Sequence, residues 1–243
     1  GILLSMQLSI VIPAKNEAKT LPRLLEAIRV QQGVELEVIV ADAGSTDETR
    51  SIAQQYGARV VDGGLPGPGR NAGARIARGE WICFHDADVV PVSSTYYQEA
   101  LMSFAQRRAV VGTTQFIPEK RGFKNVVYHW LYHLYAKWSS PLIPHAAGSG
   151  IFVRREWHER VQGFDETVVF AEDMEYVQRI VQSGGRFAYL SQPELQVSVR
   201  RLERDGYLMI AWRYLRAEWY MRWHGPIRKE LFPYEFTYPS SQT

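Results

Sequence analysis

Short apolar runs and longer amphipathic stretches alternate through the first eighty residues. LSIVIP (Leu8 to Pro13) and LEVIVAD (Leu36 to Asp42) are β-rich apolar runs of strand length. Between them, TLPRLLEAIRVQ places Leu21, Leu24, Leu25 and Ile28 at helical spacing, with Thr20 as a candidate cap and Pro22 tolerated in the first turn. In GSTDETRSIAQQYG, Ser45 and Glu48 have the spacing of a capping box and Gly57 predicts a stop. ARVV then predicts a third strand, residues 70–78 a helix, and WICF (Trp81 to Phe84) a fourth strand. This alternation is the rhythm of a parallel sheet covered by helices, so the pattern predicts an α/β fold.

The rhythm loosens afterwards. VVPVSSTYYQEALMSFAQRR predicts a helix and AVVGTTQF a strand, whereas residues 119–145 are rich in Tyr, Trp and His without a clear period. HAAGSGIFVRRE reads as a glycine-containing loop entering a strand. EDMEYVQRIVQSGG predicts a helix with Met174, Val177, Ile180 and Val181 on one side and Gly184 and Gly185 as its stop, before a strand at RFAYL. Neither a repeat nor a linker interrupts the chain, so the expectation is one domain over 1–243, its second half (116–200) built onto the first (6–115), with a C-terminal amphipathic helix and tail (201–243).

Composition narrows the function classes. With 46% hydrophobic and 22% charged residues, the chain has the balance of a globular protein. A net charge of +2 is too slight for a nucleic-acid backbone surface, so no nucleic-acid partner is expected. The single cysteine, Cys83, lies inside the apolar WICF run and predicts a small core residue, which fits a cytosolic setting. GILLS at the start is too short, and lacks the basic beginning, for a signal peptide. No run of 18 apolar residues is present, so no helix is expected to span a bilayer; the expected location is cytoplasmic, with attachment to the cytoplasmic face of a membrane left open.

Polar residues that follow buried parallel strands gather at the carboxyl edge of the sheet, where open α/β folds place ligands. Asp42 follows one such strand; Asp86 and Asp88 follow another. Asp-Ala-Asp can turn one carboxylate to a ligand and the other to a hard divalent ion such as Mg²⁺ or Mn²⁺. The alternative is a polar turn whose acids satisfy backbone amides. Gly67, Gly69 and Gly73 have the look of a dinucleotide loop but follow the third strand, not the first, which argues against a dehydrogenase. Asp173, beside Glu172 at a helix start, suits either the helix dipole or a general base.

Together SIVIPAKNEAKTL, VIVADAGSTDET, GRNAGARIARGEWICFHDADVVP and GFDETVVFAEDMEYVQRI, in order over most of residues 8–181, resemble family 2 glycosyltransferases of the GT-A group. The resemblance implies a GT-A fold, with a mostly parallel central sheet covered by helices and a Rossmann-like N-terminal half, residues 6–115 being the nucleotide-binding half and 116–200 the acceptor and catalytic half. It implies a nucleoside-diphosphate sugar as donor, UDP-sugar favoured, and a saccharide or lipid-linked acceptor. Pro13, Ala14 and Glu17 are then expected to line the nucleoside pocket with Arg70 and Asn71 beside it, and Asp42 to contact the nucleoside. Ala43 departs from the family's usual second acid at that point. Asp86 is expected near ribose, Asp88 on Mn²⁺ or Mg²⁺, and Asp173 as the base of an inverting displacement. A sugar nucleotidyltransferase and a non-catalytic sugar-nucleotide-binding subunit are the alternatives.

Several residues stay unassigned. His145 suits contact with sugar or phosphate, or a purely ordering role, and His85 supports its turn. His129 and His133 are four apart, but Trp130 stands where a zinc protease needs Glu. Neither QxxRW nor membrane-spanning helices are visible, which argues against processive synthesis. Leu208, Trp212, Leu215, Trp219 and Trp223 trace one helical stripe beside Arg213, Arg216 and Arg222. That stripe suits core packing, a dimer contact or interfacial membrane attachment, and His224 at its end is a candidate to fold back toward the metal.

Overall fold

The computed structural model describes residues 6–64, 66–140, 143–144, 146 and 148–229. The first half runs β1 (Gln7–Ala14), α1 (Leu21–Arg29), β2 (Glu35–Asp42), α2 (Thr49–Gln55), β3 (Arg59–Asp62), α3 (Gly67–Ile76) and β4 (Trp81–Phe84). Next come β5 (Val89–Pro91), α4 (Tyr96–Gln106), β6 (Val111–Pro118), α5 (Phe123–Ser139) and β7 (Ile151–Arg154). The described chain closes with α6 (Arg155–Arg160), α7 (Glu172–Gln182), β8 (Phe187–Val197), α8 (Arg200–Asp205) and α9 (Tyr207–His224).

The strands form one sheet in the order β3-β2-β1-β4-β7-β6-β8-β5. β1 to β4 are mutually parallel, and β6 pairs with β8 in the same sense. β7 runs antiparallel between β4 and β6, and β5 antiparallel at the edge on β8. Because side chains alternate along a strand, β1 feeds two cores. Leu8, Ile10 and Ile12 meet Leu21, Leu24 and Ile28 of α1 on one side of the sheet, a core that also takes in Phe104 of α4. Val11 joins Ile82, Phe84 and Ile151 on the other, covered by Tyr176, Val177 and Ile180 of α7. The fold is the mostly parallel α/β architecture that the pattern predicts.

Several local expectations are corrected. The helix expected over 70–78 starts at Gly67, because Pro68 suits a first turn, and ends at Ile76. The capping box does not form: the Ser45 hydroxyl accepts the Asn16 amide at 2.9 Å and Asp47 accepts the Ala18 amide at 3.1 Å, so α2 starts only at Thr49. Thr20 makes no cap bond and donates instead to Glu17. The single helix expected after Phe84 is divided into β5 and α4, and the aromatic segment 119–145 contains the helix α5.

The predicted C-terminal helix is α9, but its stripe is not core. Leu208, Trp212, Leu215, Trp219 and Trp223 are all exposed. α9 instead packs through small Ala217, with Tyr214 and Met221, onto Phe170, Ala171 and Met174 around the start of α7. No helix among the described residues is long and apolar enough to cross a membrane.

Close packing of α3 on β1 sets the position of Arg70. A Cβ at Gly73 would lie 2.3 Å from Cγ1 of buried Val11. Gly73→Ala is therefore expected to destabilise the chain by ~1–3 kcal/mol through overpacking, read as a melting temperature lower by several degrees. An unchanged melt would mean that α3 has room to shift.

Candidate active site

The carboxyl ends of β1, β2 and β4 and the start of β7 share one edge of the sheet, and the candidate residues collect there. Pro13 and Ala14 end β1, and Ala14 is in register with Asp42 at the end of β2. Asp42 is buried; its Oδ2 accepts from the Ser45 amide and from Arg50, each at 3.1 Å. Its Oδ1 is buried with no protein partner. A buried acceptor without a donor is costly, and this one suits an N–H of an incoming ligand.

Arg70 is the hub of the site. Its side chain is only 2% exposed, at the first turns of α3. Nη1 donates to Glu172 Oε1 at 2.7 Å, while Nη2 donates to the Gly148 carbonyl at 2.7 Å and to Asp86 Oδ1 at 3.3 Å. Its guanidinium lies 5.3 Å from the centre of the Phe164 ring. Burial works against the charge, but Glu172, Asp86 and Asp173 outweigh it and hold the guanidinium more firmly protonated.

Asp173 sits in the first turn of α7, 6% exposed. Oδ2 accepts the Gly148 amide and Oδ1 the Met174 amide, the latter at 2.8 Å. Burial pushes its carboxyl up to about 6, with the Glu172 charge adding and Arg70 opposing. Gly148 therefore holds both groups, its N–H on Asp173 and its C=O on Arg70, and its φ of +24° is one that a side chain would disfavour. Such a carboxylate is fixed in orientation and basic enough to accept a proton near neutral pH.

Asp86 and Asp88 follow β4 with 43% and 31% of their side chains exposed. Burial raises the Asp86 carboxyl, Arg70 pulls against it, and Asp88 and Glu172 add to the rise. Asp88 is paired with Arg200 at 3.2 Å, and the same guanidinium lies 3.8 Å from Glu17. Burial raises the Glu17 carboxyl, with Thr20 opposing and Asp88 adding. No group of three metal-binding side chains converges among the described residues. The partly exposed Asp88 carboxylate nevertheless suits a hard divalent ion that completes its shell with water and phosphate oxygens.

Asn71 is not part of this cluster. Its amide bonds the Phe164 backbone in both directions, at 2.9 and 2.8 Å, and reaches Glu166 at 2.9 Å, tying α3 to the loop before α7. His85 is fully buried and burial pushes it down to about 3, so it is neutral; its ring lies 3.4 Å from Ser149 Oγ and 3.5 Å from Cys83 Sγ. Ser149, which sequence reasoning missed, accepts the Asp86 amide at 3.0 Å and so ties the acids after β4 to the loop before β7. Arg200 was also missed, because nothing in VRRLERD singles out one arginine. Buried Cys83 has its thiol pushed up by burial, away from reactivity. His224 contacts Tyr220 and Trp219 of its own helix. His145 lies outside the described residues.

A cleft of about 500 Å³ lies elsewhere, between α5 and the strands β6 and β8, lined by Phe116, Trp130, His133, Tyr189 and Glu194 among others. None of the candidate acids lines it. His133 bonds the Phe116 carbonyl and the Tyr189 hydroxyl there, the roles of a structural histidine.

The family profile described as Glycosyl transferase family 2 matches residues 9–162. The 4,4'-diaponeurosporenoate glycosyltransferase of Staphylococcus aureus (strain USA300) is 54% identical over 55 residues, which are 23% of this chain and 14% of that protein. Among solved structures, S. aureus TarS 1-349 in complex with UDP-GlcNAc superposes with a TM-score of 0.62 at 21% identity, covering 80% of this chain and 59% of that one. Mannosyltransferase PcManGT from Pyrobaculum calidifontis, in complex with GDP-Man and Mn²⁺, gives a TM-score of 0.68 at 24% identity, covering 87% of this chain and 61% of the other. The chain thus spans under two thirds of each of these relatives.

Proposed function

The chain belongs to glycosyl transferase family 2, and from that premise we propose that it moves a sugar from a nucleoside-diphosphate sugar to a hydroxyl or lipid-phosphate acceptor with inversion at the anomeric carbon. The observation that carries this reading is the buried Asp173 carboxylate, aligned by the Gly148 amide one peptide away from the Arg70–Asp86 pair. A sugar nucleotide already has a good leaving group. What the protein must add is alignment, a counter to charge on the diphosphate, and a base.

Each need has a residue. The unpartnered Oδ1 of Asp42 accepts an N–H of the base, with Pro13, Ala14 and Glu17 walling the nucleoside. UDP-sugar is the favoured donor, in keeping with the TarS complex, and a GDP-sugar is the alternative in keeping with PcManGT. Asp86, braced by Arg70, faces the ribose, and Asp173 takes the proton of the attacking acceptor oxygen. Asp88 would hold Mn²⁺ or Mg²⁺, which when bound neutralises charge developing on the leaving diphosphate. Arg200, now on Asp88, exchanges that partner for a diphosphate oxygen.

The test is incubation with a panel of nucleotide sugars, with and without Mn²⁺ or Mg²⁺, and measurement of released nucleoside diphosphate. Release that depends on one donor and on metal is expected. Donor binding without release would instead mark a non-catalytic sugar-nucleotide-binding subunit. In the same assay Asp88→Ala should weaken metal-dependent donor binding by roughly tenfold or more, about 1.4 kcal/mol; an unchanged metal response would remove Asp88 from that role.

A further inference from the structure

α5 and α9 lie side by side. Tyr207 OH donates to Asn125 Oδ1 at 2.6 Å, and the Tyr128 and Tyr207 rings meet edge-on at 5.7 Å. Ten residues further along α5, Tyr135 OH donates to Glu218. The two ties advance in the same sense along both helices, so the helices run in parallel. Each exposes an apolar stripe, together the α5–α9 face; Val126, Trp130 and Leu134 of α5 also line the cleft against β6 and β8. On α5, Phe123, Val126, Trp130, Leu134 and Trp138 step by three and four residues and are exposed, Phe123 by 84% and Trp138 by 77%. On α9 the exposed stripe is Leu208, Trp212, Leu215, Trp219 and Trp223, with Leu208 at 87% and Trp223 at 68%.

An exposed apolar surface of this kind marks an interaction site on soluble folds. The chemistry of this one selects its occupant. Five of the seven tryptophans lie on it, and indole favours the headgroup boundary of a bilayer, where a polar N–H and an apolar ring are both accommodated. α5 and α9 carry Lys124, Lys137, Arg216 and Arg222 against one acid of their own, Glu218, besides Arg213, which pairs with Asp205 of α8 at 3.7 Å, although the whole chain has a net charge of only +2. A two-fold contact with a second copy would set these cations against themselves. Anionic phospholipid headgroups complement them. We infer that the α5–α9 face seats on an anionic phospholipid surface, with both helices lying in the interfacial plane. Such a seat would place the chain on the same surface as the lipid-linked acceptor of the proposed transfer, a consequence that rests on that reading.

The test is co-sedimentation of the full chain with phosphatidylcholine vesicles and with vesicles containing phosphatidylglycerol. Binding to the anionic vesicles, weakened by salt, is expected. The paired substitutions Phe123→Ser with Trp138→Ser, and Trp219→Ser with Trp223→Ser, should each lower the bound fraction, and all four together by roughly tenfold or more. The replaced side chains are exposed, so melting temperatures should hold. Absence of sedimentation, equal sedimentation of the variants, or a concentration-dependent dimer in light scattering that the same substitutions break would each overturn the inference. Release of nucleoside diphosphate is measured on the same preparations. Lost vesicle binding with release intact counts against the face alone; vesicle binding without release counts against the transfer reaction alone.

Discussion

Asp173→Asn is expected to slow sugar transfer by roughly 10²–10⁴-fold while donor binding and thermal stability survive. The amide is isosteric and its oxygen can still accept one of the two backbone amides that now reach Asp173. What it cannot do is take a proton. The pH profile of the parent protein follows from the carboxyl being pushed from its ordinary 3.8 up to about 6 by burial. Transfer should fall as pH drops through about 6, because the base becomes protonated. Stability should move the other way. A carboxyl whose folded pKa exceeds its unfolded one gains protons on folding, so its contribution improves as pH falls from about 6 toward 4 and is unfavourable above 6. The Asn variant lacks that ionisation cost and should melt at or near the parent temperature at pH 7.5. Unchanged turnover would remove Asp173 from the role of base; a collapse of the melting temperature would assign it a structural one.

Arg70→Met should cost the most stability, ~3–5 kcal/mol, since it removes the cation from a buried ionic cluster and leaves its partners unpaired. Glu172, Asp86 and the Gly148 carbonyl all lose their donor at once. The pH dependence separates this from a simple packing loss. Without the guanidinium the carboxyls of Asp86 and Asp173 rise further above their unfolded values, so the folded state takes up more protons and the deficit should shrink as pH is lowered. Thermal melts at pH 7.5 and pH 5 check this. A deficit of equal size at both would mean that shape, and not charge, is what Arg70 supplies.

The parts of this molecule that sequence discloses are those governed by local periodicity. β1 through β4 with their helices follow from alternation between two-residue and 3.6-residue patterns; Asp42 and Asp86 stand where strand patterns end, and Asp173 where a helical one begins. α5 was hidden because aromatic residues surround it on most sides, leaving no polar face to give the period away. The direction of β7 is a property of pairing, which no local pattern encodes. β8 continues through SQPELQV, where Pro193 and the polar residues read as a turn. The capping box failed because Ser45 and Asp47 are claimed by the loop after β1, which is adjacent only in space. Arg200 reaches Asp88 across more than a hundred residues of chain, and such partnerships come from the tertiary fold alone.

The reversal of β7 has a further consequence for how Asp173 is held. At most of this edge a strand leaves the sheet and a loop carries the chain away to a helix; at β7 a loop arrives and locks directly into the ladder. The Gly150 amide bonds the Phe84 carbonyl at 2.8 Å and Ile151 pairs with Phe84, only two and three residues beyond Gly148. The amide that orients Asp173 is thus an extension of the sheet, placed by backbone pairing and not by any rotamer. Such an arrangement separates accuracy from identity: the aim of the Asp173 carboxylate depends on where backbone pairing puts the Gly148 amide, not on which side chains its neighbours carry.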